Sequence, residues 1–126
     1  MSAHKWNILI VEDGYDSIQV MTRVLTHHGA TVSVARNGKE CLKMLKDFTP
    51  SIILMDLDMP IMDGWTALAQ IRANPDTKHL PVVAITAYHS ATVAEEAARA
   101  GFNGYFSKPV SIRSIIPRLE QIIPTP

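Results

Sequence analysis

The stretch Ser51-Ile52-Ile53-Leu54-Met55-Asp56-Leu57-Asp58-Met59-Pro60 decides how this chain is read. From Ile52 to Met55 the residues are apolar without alternation, so an extended segment here seeks burial on both faces. That is the pattern of a strand in a parallel sheet covered by helices on each side. The pattern recurs outward in both directions. Asn7-Ile8-Leu9-Ile10-Val11 ends at Glu12-Asp13, and Pro81-Val82-Val83-Ala84-Ile85 ends at Thr86. Two weaker runs complete the set. Thr31-Val32-Ser33-Val34-Ala35 alternates, as an edge strand does, and Gly104-Tyr105-Phe106-Ser107 leads into Lys108-Pro109.

Between the five runs lie segments with helical spacing. Ile18, Met21, Val24, Leu25 and His28 form one stripe, with Gly29 as its stop. Cys41, Leu42, Leu45 and Phe48 form the second, before Pro50. The third runs from Gly64 through Leu68 and Ile71 to Asn74-Pro75, and the fourth is Ala-rich around Val93 and Ala97, ended by Gly101. The fifth carries Ile112, Ile115, Ile116, Leu119, Ile122 and Ile123, capped by Ser111 or Ser114. Pro117 has no N–H to give a helix ladder, so it predicts either a late start at Ser114 or a kink.

Five β-α units imply an α/β fold, a three-layer α/β/α sandwich. Right-handed crossovers with helices on both faces favour a five-stranded parallel sheet of flavodoxin-like order 2-1-3-4-5, with the alternating run at an edge. The 126 residues make one domain, with its core from about 7 to 123 and a short frayed end at Pro124-Thr125-Pro126. Apolar residues are 47% of the chain and charged residues 19%, enough to bury a core. Twelve Lys and Arg balance twelve Asp and Glu, which argues against bulk-charge binding to nucleic acid or anionic membrane. No apolar run approaches the roughly 18–20 residues that span a bilayer, and no export signal is visible. The single Cys41 excludes an internal disulfide and fits a reducing, cytoplasmic setting.

In a parallel sheet every strand end of one kind lies on one rim. Asp13, Asp56, Thr86 and Lys108, separated by 43, 30 and 22 positions, therefore converge. Several carboxylates on one rim repel each other, and a hard divalent cation with oxygen ligands relieves that repulsion. Lys108 adds a positive charge and Thr86 a hydroxyl donor. Together they resemble a clamp for a phosphoryl group, with an aspartate as nucleophile. Taken singly, each residue has a plainer reading: Asp13 an N-cap, Asp56 a loop cap, Thr86 a strand-end threonine, Lys108 a solvated lysine. Their coincidence at four strand ends favours a built site. The His27-His28 pair, the loop residues His79 and His89, the methionines and Trp65 read as packing or helix-end residues.

With these residues in view, the chain resembles the receiver domain of bacterial response regulators, the phosphoacceptor module of two-component signalling. The resemblance runs from about Asn7 to Ile123. It is carried by Leu9-Ile10-Val11-Glu12-Asp13, Ile53-Leu54-Met55-Asp56-Leu57-Asp58-Met59-Pro60 with Met62-Asp63-Gly64, Ala84-Ile85-Thr86-Ala87, and Tyr105-Phe106-Ser107-Lys108-Pro109. It implies Asp56 as phosphoacceptor and Mg²⁺ as cofactor. Asp13, Asp56 and the Asp58 backbone carbonyl would be direct ligands, and Glu12 would act through water. Lys108 would pair with phosphoryl oxygens, Thr86 and Tyr105 would form the switch, and Lys108-Pro109 would be a cis peptide. Gly14, Asp58 and Tyr88 are positions where this chain has its own character, bearing on loop mobility and on phosphoryl lifetime.

The resemblance also implies partners. A sensor histidine kinase or histidine phosphotransfer protein donates from phosphohistidine, and a downstream protein reads the surface of the fourth helix, fifth strand and fifth helix. A phosphorylation-dependent dimer stays open. Such a domain is no turnover enzyme: it catalyses only its own phosphoryl transfer and dephosphorylation. It would be either a stand-alone regulator or a receiver excised from a larger protein. Three rivals weigh less. A haloacid-dehalogenase-type phosphatase also uses D-x-D, but here Asp56-Leu57-Asp58 follows the third strand and little chain is left for a cap. A binding module that has abandoned phosphate would not keep every matching side chain. A flavin protein on this fold would need a Ser/Thr/Gly-rich phosphate loop after the first strand, and none follows it here.

Overall fold

The computed structural model describes residues 5–124; Thr125 and Pro126 of the expected frayed end lie outside the described residues. Strands β1 (Asn7–Val11), β2 (Thr31–Ala35), β3 (Ile52–Asp56), β4 (Val82–Thr86) and β5 (Gly104–Ser107) alternate with five helices. These are α1 (Tyr15–His27), α2 (Gly38–Met44), α3 (Gly64–Ala73), α4 (Ala91–Ala100) and α5 (Ile112–Ile122). All strand pairs are parallel, in the order β2-β1-β3-β4-β5. The alternating second run is the edge strand that its pattern predicts.

The continuous apolar runs are explained by two cores. Along each central strand successive side chains point to opposite faces. Ile8, Ile10, Ile52, Leu54, Val83 and Ile85 pack with Met21 and Leu25 of α1 and with Ile115 and Leu119 of α5. Leu9, Val11, Ile53, Met55, Val82 and Ala84 pack with Cys41, Ala67, Leu68 and Ala97 on the other face. No residue of β3 or β4 is left for solvent. Burial also pushes the Cys41 thiol up to about 12, leaving it a protonated core side chain.

Helix ends follow local chemistry. Asn37, Asp63 and Ser90 accept the N–H of the residue three positions on, capping α2, α3 and α4. Gly101 ends α4 at φ 110 and Gly29 follows α1 at φ 96, conformations in which a Cβ is strained. The expected stripe of α2 is longer than its helix, which stops at Met44 and leaves Leu45 in the following turn and Phe48 beyond it. Of the two caps considered for α5, Ser111 is the observed one, and the late start is not taken. Pro117 sits inside the helix on its exposed side, where it offers the Arg113 carbonyl no ladder donor.

Candidate functional site

The pairing register sets the C-terminal rim. Val11 lies level with Met55, Asp56 with Ile85, and Thr86 with Ser107, so β1, β3, β4 and β5 end together. Backbone bonds carry the register into the loops: Glu12 N donates to Ala35 O, Leu57 N to Ile85 O, and Lys108 N to Thr86 O. Glu12, Asp13, Asp56, Thr86 and Lys108 are thereby brought to one place from four strand ends.

Glu12 and Asp56 are buried, while Asp13 is exposed. Carboxylate oxygens of all three lie within 4.8 Å of one another. Asp13 does not cap α1. The N-cap is Gly14, with no side-chain bond, so the Asp13 carboxylate is not committed to the helix. Lys108 Nζ stands 2.7 Å from Glu12 Oε2 and 3.2 Å from Asp56 Oδ2, bridging the two buried acids. Glu12 Oε2 has Lys108 Nζ as its partner at that distance. The other oxygens are held: Glu12 Oε1 accepts from Gly14 N at 3.0 Å and Asp56 Oδ1 from Asp58 N at 3.1 Å.

The charges leave their mark. Burial first, and then the Glu12 charge, push the Asp56 carboxyl up to about 6, against the Asp58 N–H bond and Lys108, which pull it down. Burial alone would lower Lys108, but its bonds and charge contacts with Glu12 and Asp56 outweigh that and hold the ammonium above its ordinary value. One cation does not balance this cluster. An all-oxygen donor set and surplus negative charge together fit a hard divalent ion such as Mg²⁺.

Thr86 is buried, and its hydroxyl donates to Asp58 Oδ2 at 3.4 Å while accepting from Tyr88 N at 3.0 Å. Asp58 is thus not in the three-acid group; its side chain reaches the threonine and its N–H reaches Asp56. Tyr105 is half-buried, and its hydroxyl meets His89 Nδ1 at 2.9 Å. Tyr88 is exposed. The Lys108-Pro109 peptide bond is cis. Trp65 packs edge-on against Phe102, with ring centroids 5.7 Å apart.

The loop from Asp56 to α3 is tightly built. A Cβ on Gly64 would run into the Asp56 carbonyl oxygen and Leu57 Cα, so only glycine lets α3 start this close to the acid. Ile61 holds φ 69, with Met62 N donating to Pro60 O across it, a γ-turn that is strained for a β-branched residue. Sequence reasoning missed the role of Gly64, the Asp58–Thr86 contact and the part played by His89. The Met62-Asp63-Gly64 motif was the one signal for the first. The other two had none.

Comparison with known proteins gives a consistent picture. The family model described as "Response regulator receiver domain" matches residues 8–120. An uncharacterized 14.6 kDa protein of Leptolyngbya boryana is 36% identical over 91% of this chain and 88% of its own length. Histidine kinase P4 of Formosa agariphila is 34% identical over 94% of this chain, which spans only 9% of that kinase. Among solved structures, the receiver domain of a Pseudomonas aeruginosa sensor histidine kinase superposes with a TM-score of 0.85 at 28% identity. The match covers 93% of this chain and 96% of that one, and that structure has a magnesium ion coordinated in its active-site cleft.

Proposed function

The chain belongs to the response regulator receiver domain family of two-component signalling, and we propose that Asp56 is its phosphoacceptor. One observation carries the reading: Lys108 bridges Glu12 and Asp56 at the rim where Asp13 and Thr86 also arrive. Asp13, Asp56 and the Asp58 carbonyl would hold Mg²⁺ directly, with Glu12 holding it through water. Bound there, the ion would supply positive charge against the phosphoryl oxygens.

The steps belong to the chain's own groups. With its carboxyl near 6, Asp56 is mostly ionised at neutral pH and nucleophilic. A carboxylate oxygen attacks the phosphorus of a phosphohistidine; the P–O bond forms as the P–N bond breaks, and the imidazole leaves with a proton from solvent. Lys108, already 3.2 Å from Asp56 Oδ2, shifts its hydrogen bonds to the phosphoryl oxygens as charge builds there. Water later attacks the phosphorus, releasing inorganic phosphate and restoring Asp56. Meanwhile the Thr86 hydroxyl leaves Asp58 for a phosphoryl oxygen, and Tyr105 follows. The surface of α4, β5 and α5 is thereby biased toward the form that a downstream protein reads.

The donor is a histidine kinase or phosphotransfer protein acting in the cytoplasm. An apolar cavity of about 330 Å³, lined by Val20, Met21, Pro109 and Ile112 and reaching Lys108, lies between α1 and the start of α5 and offers the donor an apolar seat. Intact mass after treatment with acetyl phosphate tests the acceptor. The expected result is one added phosphoryl group, dependent on Mg²⁺ and absent in Asp56→Asn. Mg²⁺-independent labelling would remove the ion from the reaction, and stoichiometric labelling of Asp56→Asn would remove Asp56 from the role.

A further inference from the structure

We propose that His89 is a positioning residue, a latch that holds Tyr105 in the resting arrangement and ties its release to Thr86. The proposal rests on the receiver reading above and adds to it a residue of this chain's own. Three contacts in series support it. Tyr88 N donates to Thr86 Oγ1 at 3.0 Å, and the next residue, His89, meets the Tyr105 hydroxyl through Nδ1 at 2.9 Å. The two rings also lie against each other, with centroids 5.4 Å apart and planes inclined by 39°. Within this pair one atom donates and the other accepts according to the histidine tautomer, and either way the bond is made.

Around this contact the backbone is fixed. Tyr105 pairs with Ala84 in the sheet, and its carbonyl accepts from Arg118 Nη2 at 2.7 Å. Arg118 itself lies over the Phe106 ring at 4.1 Å. Freedom at Tyr105 therefore belongs to its side chain, whose one hydrogen bond among the described residues goes to His89. The resting character of the arrangement is read from Thr86, whose hydroxyl is engaged by Asp58 and Tyr88 N rather than by Asp56. Drawing that hydroxyl to a phosphoryl group on Asp56 shifts the segment Thr86–His89 and breaks the latch. A bond made in the resting form alone opposes activation by its own worth.

Calorimetric titration with Mg²⁺ and beryllofluoride, a non-covalent phosphoryl mimic, tests this on the full chain. His89→Ala and Tyr105→Phe should each bind beryllofluoride about two- to tenfold tighter than the unaltered protein, the worth of one solvent-exposed hydrogen bond. The double variant should gain no more than the larger single gain, because both changes remove the same bond. His89→Asn, which keeps a bonding group near the Nδ1 position, should return toward the unaltered affinity. Mg²⁺ affinity without beryllofluoride should be the same in His89→Ala. Unchanged or weaker beryllofluoride binding in either single variant, additive gains in the double, or an equal change in Mg²⁺ affinity overturns the latch. An unaltered protein that binds no beryllofluoride instead sinks the acceptor reading itself, so the two failures are distinct.

Discussion

The two rims of the sheet solve opposite problems. At the C-terminal rim, buried Glu12 and Asp56 share a single lysine, and the Asp56 carboxyl is forced up to about 6. At the N-terminal rim one cation serves several oxygens at once. Arg72, in the last turn of α3, donates through Nε and Nη2 to Gly101 O, through Nη1 to Lys78 O and Leu80 O, and through Nη2 to Asn103 Oδ1. Asn103 Oδ1 in turn accepts from Val82 N at the start of β4. One guanidinium thus closes the ends of α3, α4 and two strands. The contrast teaches where stability and function sit in this fold. The satisfied rim holds the elements together, and the frustrated rim keeps charge in reserve for a ligand.

Opposite substitutions should separate the two rims most sharply. Asp56→Asn is expected to abolish phosphoryl acceptance completely. In metal-free buffer at pH 8 it should also raise the unfolding free energy by about 1–2 kcal/mol, a value discounted from the full carboxyl shift because Lys108 and water screen the charge. Arg72→Ala should do the reverse. It orphans several carbonyls at once and should cost about 2–4 kcal/mol in denaturant unfolding, while phosphorylation of the surviving folded protein proceeds normally. Arg72→Lys should recover only a part, since an ammonium cannot span carbonyls that the planar fork reaches together. Loss of stability in Asp56→Asn, or loss of phosphorylation in folded Arg72→Ala, breaks the division.

Gly64→Ala tests whether the frustrated rim depends on its own support. The added Cβ would collide with the Asp56 carbonyl, so α3 or the acid must move. A cost of about 1–3 kcal/mol is expected. Weakened Mg²⁺ binding should accompany it, whereas Arg72→Ala should leave Mg²⁺ binding intact. Calorimetry on both variants decides the matter, and equal Mg²⁺ affinities would detach Gly64 from the site.

How much of this could be read from residues alone follows from the same contrast. The sheet order and the rim were legible because continuous apolar runs such as Ile52–Met55 fit only doubly covered parallel strands, and parallelism puts all their ends together. The caps Asn37, Asp63 and Ser90 lie within local rules. The start of α5 was ambiguous between Ser111 and Ser114 because Pro117 is tolerated wherever its side of the helix faces water. The Arg72 clamp and the His89–Tyr105 and Asp58–Thr86 contacts were not legible. Each brings a loop residue to a partner 16 to 31 positions away, and their meeting depends on where those loops turn rather than on any period or motif.

The smallest effect expected is a reversal of pH dependence. A carboxyl raised to about 6 from an ordinary 3.8 is protonated in the folded chain before it is in the unfolded one. Between about pH 6 and pH 4 the native state therefore holds the extra proton, and linkage makes this group's contribution to stability rise as pH falls through that window. The burden of the ionised acid is felt in full only well above pH 6. In the presence of a chelator, the thermal midpoint of the unaltered protein relative to Asp56→Asn should climb by a few degrees, on the order of one kcal/mol, from pH 7.5 to 5. Saturating Mg²⁺ should flatten or invert that difference, because the ion binds the ionised carboxylate and its stabilisation fades as the acid protonates. Arg72→Ala should show the same relative slope as the unaltered protein, since its rim holds none of the three clustered acids. A slope that survives in Asp56→Asn assigns the titration to another group and leaves the frustration of the C-terminal rim without its chief witness.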